Sequence, residues 1–278
     1  MIQATPLSAD AFREVCEFIY RRSGIAYDEG KRYYLERRVQ DRIGQTAAGS
    51  FPSYLARLRS DPAEAEALLN SITVNETYFY REEHQLTCLS VSILPEIVSR
   101  RAPGDLVRIW SFPCATGDEA YSIAIWLLEN WRMVDAYHVE IVGSDIDTEA
   151  LQAAREGRYG ARALSRLPEP VLQRYFEPER NGHRQIIQDL QESVRFTPAN
   201  LIDAASMAAI GRFDVVFCRN LLIYFDDAAR SAAAEHLFDA LAPGGFLCLG
   251  HTESMNRISS RFISRRFPDA LVYQRALR

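Results

Sequence analysis

From residue 9 to about residue 73 the apolar positions recur at three- and four-residue spacing, the period of helices buried on one face. Ser8 stands just before a run in which Phe12, Val15, Cys16, Ile19 and Tyr20 share a face, which predicts a capped helix from about Ala9. Gly24 marks a break. Asp28 is placed to cap a second helix that carries Tyr34, Leu35, Arg38, Val39 and Arg42 and ends near Gly44. Two shorter helices follow, over 51–59 and 62–72.

From residue 105 the period changes. Short β-branched and aromatic runs at 106–112, 138–143, 193–196, 213–218, 246–250 and 270–275 read as strands. Helical patterns lie between them at 118–131, at 149–156 (capped by Thr148) and at 227–241, the last stopped by Pro243-Gly244-Gly245. Strands alternating with helices imply an α/β domain with a parallel sheet covered on both faces. Residues 159–192 break the rhythm. They contain prolines, Arg174-Tyr-Phe, a turn at Asn181-Gly182 and partial alternation over 183–189. This reads as an inserted β-hairpin, with a plain surface loop as the alternative. Residues 74–104 read as a linker that carries a motif. Three parts result: a helical domain over 1–73, the linker, and an α/β domain over 105–278.

Composition narrows the classes. With 47% apolar and 25% charged residues the chain can bury a sizeable core. It has no uninterrupted apolar run of about 18 residues, so no membrane insertion is expected. Met1-Ile-Gln-Ala-Thr-Pro has no basic region ahead of an apolar core, so no secretory leader is expected either. The five cysteines are scattered and never form C-x-x-C, as in a reduced, cytoplasmic protein. The five histidines have no zinc-ligand spacing, and no metal is expected. A net charge of −5 weighs against nucleic acid as partner.

The candidate chemistry gathers at predicted strand ends, where open α/β sheets bind ligands. The first strand runs into the small-residue turn Cys114-Ala-Thr-Gly117, followed by Asp118 and Glu119. Two carboxylates there repel a pyrophosphate and suit a cationic or hydroxyl-rich ligand; they equally complement the helix macrodipole. Asp145, ending the second strand, can accept ribose hydroxyls, although Asp145 or Asp147 is equally a helix cap. Together, Glu119 and Asp145 outline a nucleoside pocket without phosphate. S-adenosylmethionine, with its adenosine, sulfonium and amino-acid tail, fits that outline. Phe217-Cys-Arg-Asn-Leu-Leu-Ile-Tyr-Phe-Asp226 sets Arg219, Asn220 and Tyr224 at the mouth of a buried strand. A ligand site and a salt-bridged core edge are both open there. In Val74-Asn-Glu-Thr-Tyr-Phe-Tyr-Arg-Glu82, polar and aromatic residues interleave. That suits base stacking or a linker, and the acidic net charge disfavours the first.

Four stretches then carry a resemblance: Asn75-Glu-Thr-Tyr-Phe-Tyr-Arg-Glu82, Ala115-Thr-Gly-Asp-Glu-Ala-Tyr-Ser122, Gly143-Ser-Asp-Ile-Asp147 and the 217–226 stretch. In this order they resemble the chemotaxis receptor methyltransferase (CheR) family, from about Phe12 onward. The resemblance implies an all-α N-terminal domain, then a class I S-adenosylmethionine methyltransferase sheet, doubly wound, with a small antiparallel β-subdomain inserted. It implies that Asn75, Thr77, Arg81, Glu119, Asp145, Asn200, Leu201, Arg219 and Asn220 bind the cofactor. Arg81 and Tyr224 are implied to orient the substrate glutamate. S-adenosylhomocysteine is the implied product. There are departures: Phe112-Pro113-Cys114 replaces smaller or polar residues, and Asp118 and Ala120 stand where Glu and Pro are common. The loop around 177–184 is shorter than in members that bind a receptor's C-terminal peptide.

A glutamate side chain, with an ordinary pKa near 4.3, is ionised at neutral pH, so its methylation needs no general base. The expected activity is therefore glutamate methylation on methyl-accepting chemotaxis receptors. A small-molecule O-methyltransferase and a non-catalytic S-adenosylmethionine-binding module are the alternatives. Residues 31–42 hold five basic and two acidic residues, with Lys31, Arg38 and Arg42 near one face. That face is expected either to dock the glutamate-rich receptor helix or simply to be solvated.

Overall fold

The computed structural model describes residues 7–268 and 270–277; the N-terminal stretch read above for a leader, 1–6, lies outside them. Four helices come first: α1 (Ala9–Ser23), α2 (Arg32–Thr46), α3 (Phe51–Ser60) and α4 (Pro62–Ile72). Ser8 caps α1 by accepting from the Ala11 N–H, and Gly24 ends it at φ 74°. Asp28 caps a 3-10 turn, Glu29–Lys31, that leads into α2. Helix α2 runs past Gly44 and stops at Ala47, in the left-handed conformation at φ 52°. The apolar faces, including Phe12, Val15, Ile19, Leu35, Val39, Leu58 and Leu68, meet in one core.

The stretch 74–104 is more than the linker expected of it. It contains α5 (Glu83–Cys88), a π-helical segment (Leu89–Ile93) and α6 (Leu94–Val98) in succession. Leu86, Leu89, Ile93, Leu94 and Ile97 are buried against the sheet. Pro95 lies where the π-helical segment runs on into α6; the Leu94 N–H before it reaches back five residues to the Leu89 carbonyl, and the amide that proline lacks falls at this irregularity.

The remaining chain supplies β1 (Leu106–Ser111), α7 (Asp118–Asn130), β2 (His138–Asp145), α8 (Thr148–Glu156), β3 (Arg158–Gly160), α9 (Ala161–Leu164), α10 (Glu169–Tyr175), β4 (His183–Gln185) and α11 (Gln188–Glu192). After these come β5 (Val194–Pro198), α12 (Ala204–Ile210), β6 (Phe213–Cys218), α13 (Asp227–Ala240), β7 (Leu241–Leu249), β8 (Phe262–Arg266) and β9 (Leu271–Arg275). The main sheet has the order β5-β2-β1-β6-β7-β9-β8. Neighbouring strands from β5 to β7 pair in parallel, whereas β9 pairs antiparallel with both β7 and β8. The all-parallel expectation therefore fails at this edge. Strand β8 was not foreseen, because Ser264, Arg265 and Arg266 give it little apolar pattern. The sheet is buried on both faces: Ile109, Val215 and Phe217 join one core cluster, Trp110, Val216 and Cys218 the other. This is the doubly wound methyltransferase-type sheet implied above, preceded by its all-α domain.

Pro243-Gly244-Gly245 lies inside β7 rather than before it. The register shifts between Phe213↔Leu241 and Val215↔Phe246 to accommodate the extra residues. A Cβ on Gly245 would stand 2.9 Å from the Ala242 carbonyl and 3.0 Å from that of Asp214. The insertion is likewise more helical than a plain hairpin. Strands β3 and β4 pair antiparallel, and Asn181 and Gly182 make the turn at φ 53° and 76°. Helices α9 and α10 occupy the span between them. Asp147, not Thr148, caps α8 by accepting from the Ala150 N–H. All five cysteines are free. Among the described residues no helix is long and apolar enough to cross a membrane.

Candidate active site

Strand order reverses between β1 and β6, the position where doubly wound sheets open a crevice. Two adjoining chambers occupy it, of about 310 and 60 Å³. They share Val74, Pro113, Ala115 and Asn220 as walls. The larger is floored by strand ends through Asp145, Ile146 and Leu201 and roofed by the helical domain through Tyr27, Lys31 and Tyr34. The smaller is bounded by Thr77, Arg81, Glu119 and Arg219.

The turn after β1 brings backbone close to the cleft. The Phe112–Pro113 bond is cis, and Ala115 and Gly117 have φ of 45° and 87°. A Cβ on Gly117 would lie 2.9 Å from that of Ala154, so glycine serves both conformation and space. The Ala115 N–H donates to Asp145 Oδ2 at 2.8 Å, and the Asp147 N–H donates to Asp145 Oδ1 at 3.0 Å. Burial pushes the Asp145 carboxyl up to about 6 against the pull of those N–H groups. Of the two aspartates, Asp147 is the helix cap and Asp145 the cleft residue. Asp147 also accepts from Thr73 and, at 2.7 Å, from Asn75 Nδ2, which ties the α4–α5 connection to α8.

Glu119 sits in the first turn of α7. It accepts from Ser111 Oγ at 2.7 Å and from Arg219 Nη1 at 2.9 Å. Arg219 is buried; its Nη2 donates to the Arg81 carbonyl at 2.9 Å and lies 3.3 Å from Glu82 Oε2. Its Nε has no partner, nor does Asp118 Oδ1. A buried guanidinium N–H facing no acceptor costs free energy unless a ligand supplies one. The carboxylate of an amino-acid tail is such an acceptor, so these residues fit the donor expected for a methyltransferase. Burial also pushes Asp118 up to about 6.

Tyr224 lines the larger chamber and Arg81 the smaller. Burial raises the Tyr224 phenol, and the nearby Arg81 charge opposes the shift. Arg81 Nη1 donates to the Glu76 carbonyl at 2.7 Å, and its guanidinium lies 5.7 Å from the Tyr78 ring centre. The Tyr224 carbonyl accepts from the Ala26 N–H at 3.0 Å, and Ile25 bridges Phe225, so the helical domain abuts this loop.

The structure thus brings Asn75, Thr77, Arg81, Glu119, Asp145, Leu201, Arg219, Asn220 and Tyr224 to one cleft. Asn200 is set apart: it lines neither chamber, and its Nδ2 donates to the Arg22 carbonyl at 2.7 Å. Two residues were not foreseen. Glu82 takes His251 Nδ1 at 3.0 Å as well as Arg219, although it closes a singled-out motif. Lys31 places its Nζ 5.4 Å from the Tyr224 ring centre, and only its position at the start of the basic helix hinted at this.

Sheet, cleft and unpaired Arg219 Nε together describe a class I methyltransferase. Residues 10–73 match the family described as "CheR methyltransferase, all-alpha domain", and residues 75–270 the one described as "CheR methyltransferase, SAM binding domain". The chain belongs to the CheR methyltransferase family, and its methyl donor is S-adenosylmethionine. It is 46% identical over 259 residues to chemotaxis protein methyltransferase 2 of Vibrio cholerae, covering 92% of this chain and 90% of that one. It is 37% identical to the chemotaxis protein methyltransferase of Klebsiella aerogenes, with 95% and 90% covered. With that of Escherichia coli the identity is 34%, with 95% and 91% covered.

Proposed function

We propose that this enzyme methylates glutamate side chains on the cytoplasmic helical region of methyl-accepting chemotaxis receptors, forming methyl esters and releasing S-adenosylhomocysteine. The observation that carries the reading is one cleft holding a buried acidic group, Asp145, an unpaired buried Arg219 Nε, and a cation and phenol, Arg81 and Tyr224, at its edges. When bound, S-adenosylmethionine supplies an electrophilic methyl group on sulfonium. Asp145 accepts from the ribose hydroxyls. Arg219, held by Glu119, offers Nε–H to the tail carboxylate. Asn75, Thr77, Asn220 and Leu201 shape the remaining walls, whereas Asn200, turned to Arg22, lines neither chamber.

The substrate carboxylate arrives ionised, so the protein aligns and desolvates it rather than removing a proton. Arg81 holds it by charge-assisted hydrogen bonds. Tyr224, kept protonated by burial, donates a neutral one. The basic stretch 31–42, from the end of the 3-10 turn into α2, leads into this cleft. Lys31 lines the larger chamber, and Arg38 stacks over Tyr34 of the same wall at 5.3 Å. We infer that this stretch steers an acidic receptor helix toward Tyr224, in the cytoplasm where the receptor's signalling region lies.

The test is incubation with methyl-labelled S-adenosylmethionine and receptor-containing membranes. Base-labile label on receptor glutamates is the expected result. Label appearing only in a soluble metabolite, or cofactor binding without turnover on any receptor, would overturn the reading.

A further inference from the structure

β6 ends at Cys218, and the loop that follows carries Arg219, Asn220 and Tyr224. Asn220 stands in the left-handed conformation at φ 59°. Successive backbone N–H groups in such a turn converge and form a concave anion nest. Here a side chain fills the nest. Glu253, shortly after β7, accepts from the Asn220 N–H at 2.7 Å through Oε2 and from the Leu222 N–H at 2.7 Å through Oε1. The Gly250 N–H adds a third bond to Oε2 at 2.9 Å. A Cβ on Gly250 would lie 2.9 Å from both Glu253 Oε2 and Asn220 Nδ2, so glycine lets the two loops close on each other. Glu253 lines neither chamber. Both of its oxygens are spent on the backbone of the loop that bears the site.

We propose that Glu253 is a positioning residue for methyl transfer: its carboxylate gathers the loop's converging N–H groups and so sets where Arg219, Asn220 and Tyr224 stand around the cleft. The rate part of this proposal rests on the functional reading above; the cofactor part does not. A side chain that merely stabilised the fold would change the folded fraction. One that sets the loop changes affinity and kcat in protein that remains folded.

The experiment compares wild type with Glu253→Gln, Glu253→Ala and Gly250→Ala. Glutamine keeps the shape but offers one acceptor oxygen where two are used. We expect Glu253→Gln to keep its circular dichroism, bind S-adenosylhomocysteine about tenfold more weakly and lose more than that in kcat on receptor membranes. Gly250→Ala, which forces the two loops apart with the carboxylate intact, should share the defect. In Glu253→Ala the nest is open, and added formate should restore part of the affinity and of kcat, with no effect on wild type. Wild-type affinity and kcat in Glu253→Gln would overturn the proposal. So would an activity loss that equals the loss of folded protein and ignores formate. If wild type fails to methylate receptor membranes, the functional reading falls, and the S-adenosylhomocysteine affinities still decide the role of Glu253. If Glu253→Ala does not fold, Glu253→Gln and Gly250→Ala decide it.

Discussion

Arg219 Nη1 meets Glu119 Oε2 at 2.9 Å and joins the carboxyl end of β6 to the first turn of α7 across the reversal in strand order. The pair is shielded: the side chains are 4% and 13% exposed. Breaking such a pair by removing one partner leaves an uncompensated charge. Arg219 also faces Glu82 at 3.3 Å, so its loss takes the guanidinium from two carboxylates, leaving Glu82 with His251 and Gln85 and Glu119 with Ser111, whereas the loss of Glu119 leaves the guanidinium one carboxylate partner. Arg219→Met should therefore lower unfolding stability by about 3–5 kcal/mol, and Glu119→Gln by clearly less. Urea unfolding of the two variants checks the order; equal stabilities would show that the pair does not hold the cleft together.

Asp145 makes cofactor affinity depend on pH. Its carboxyl is raised by burial from the ordinary 3.8 to about 6. Because the folded pKa lies above the unfolded one, the folded state takes up this proton first as pH falls. At this group the empty protein therefore gains stability between about pH 6 and pH 4, and ionisation costs stability at neutral pH. Ribose hydroxyls need the ionised acceptor, so affinity moves the opposite way. Calorimetry with S-adenosylhomocysteine should show a flat profile above pH 7 and about fourfold weaker binding at pH 5.5. Asp145→Asn should bind weakly with no such dependence. Asp118 also titrates near 6 but lines neither chamber, so Asp118→Asn should keep the profile. A profile flat down to pH 5 in wild type would remove Asp145 from the ribose site.

Arg81 and Tyr224 should differ in weight. Arg81→Ala removes a charge, yet it leaves the backbone carbonyl that Arg219 uses. We expect single-turnover methylation at saturating cofactor to fall by orders of magnitude. Tyr224→Phe removes one neutral hydrogen bond, worth roughly 0.5–1.5 kcal/mol, and should slow the step about two- to twelvefold. Unchanged single-turnover rates in Arg81→Ala would exclude it from the carboxylate site.

Much of this was legible because local rules and tertiary packing agree. Ser8 and Gly24 bound α1, and the mostly apolar run of β6 is buried on both of its faces, as pattern alone predicted. The failures have specific causes. The stretch 83–98 hid its helix behind Pro95 and a π-helical segment that disturbs the period. Strand β8 is an edge with charged residues, which suppress the apolar signal. Asn200 follows its strand as expected, yet its amide is drawn off to Arg22 by the helical domain, a long-range contact. Glu253 was invisible because its partners are backbone N–H groups, which every residue but proline carries.

The basic helix divides into two kinds of arginine, and reversing both together would confuse them. Arg42 Nε donates to Glu64 Oε1 at 2.9 Å, and the Tyr54 hydroxyl donates to the same oxygen at 2.8 Å. Glu64 is buried, so this is an internal pair binding α2 to α3 and α4 rather than part of a docking face. Arg38, in contrast, stacks on Tyr34 beside the larger chamber. Arg42→Glu would set two carboxylates against each other inside the helical domain. It should cost at least about 3 kcal/mol of stability whatever the salt concentration. Arg38→Glu removes one cation–π contact and should cost about 1 kcal/mol, clearly less than Arg42→Glu. Its effect should fall on kcat/KM toward receptor membranes and fade as salt rises, since docking by exposed charge is screened beyond about 10 Å at 0.1 M ionic strength. Thermal unfolding and receptor methylation measured at low and high salt separate the two effects. If Arg38→Glu methylates receptors at the wild-type rate in low salt, the basic face does not steer the substrate.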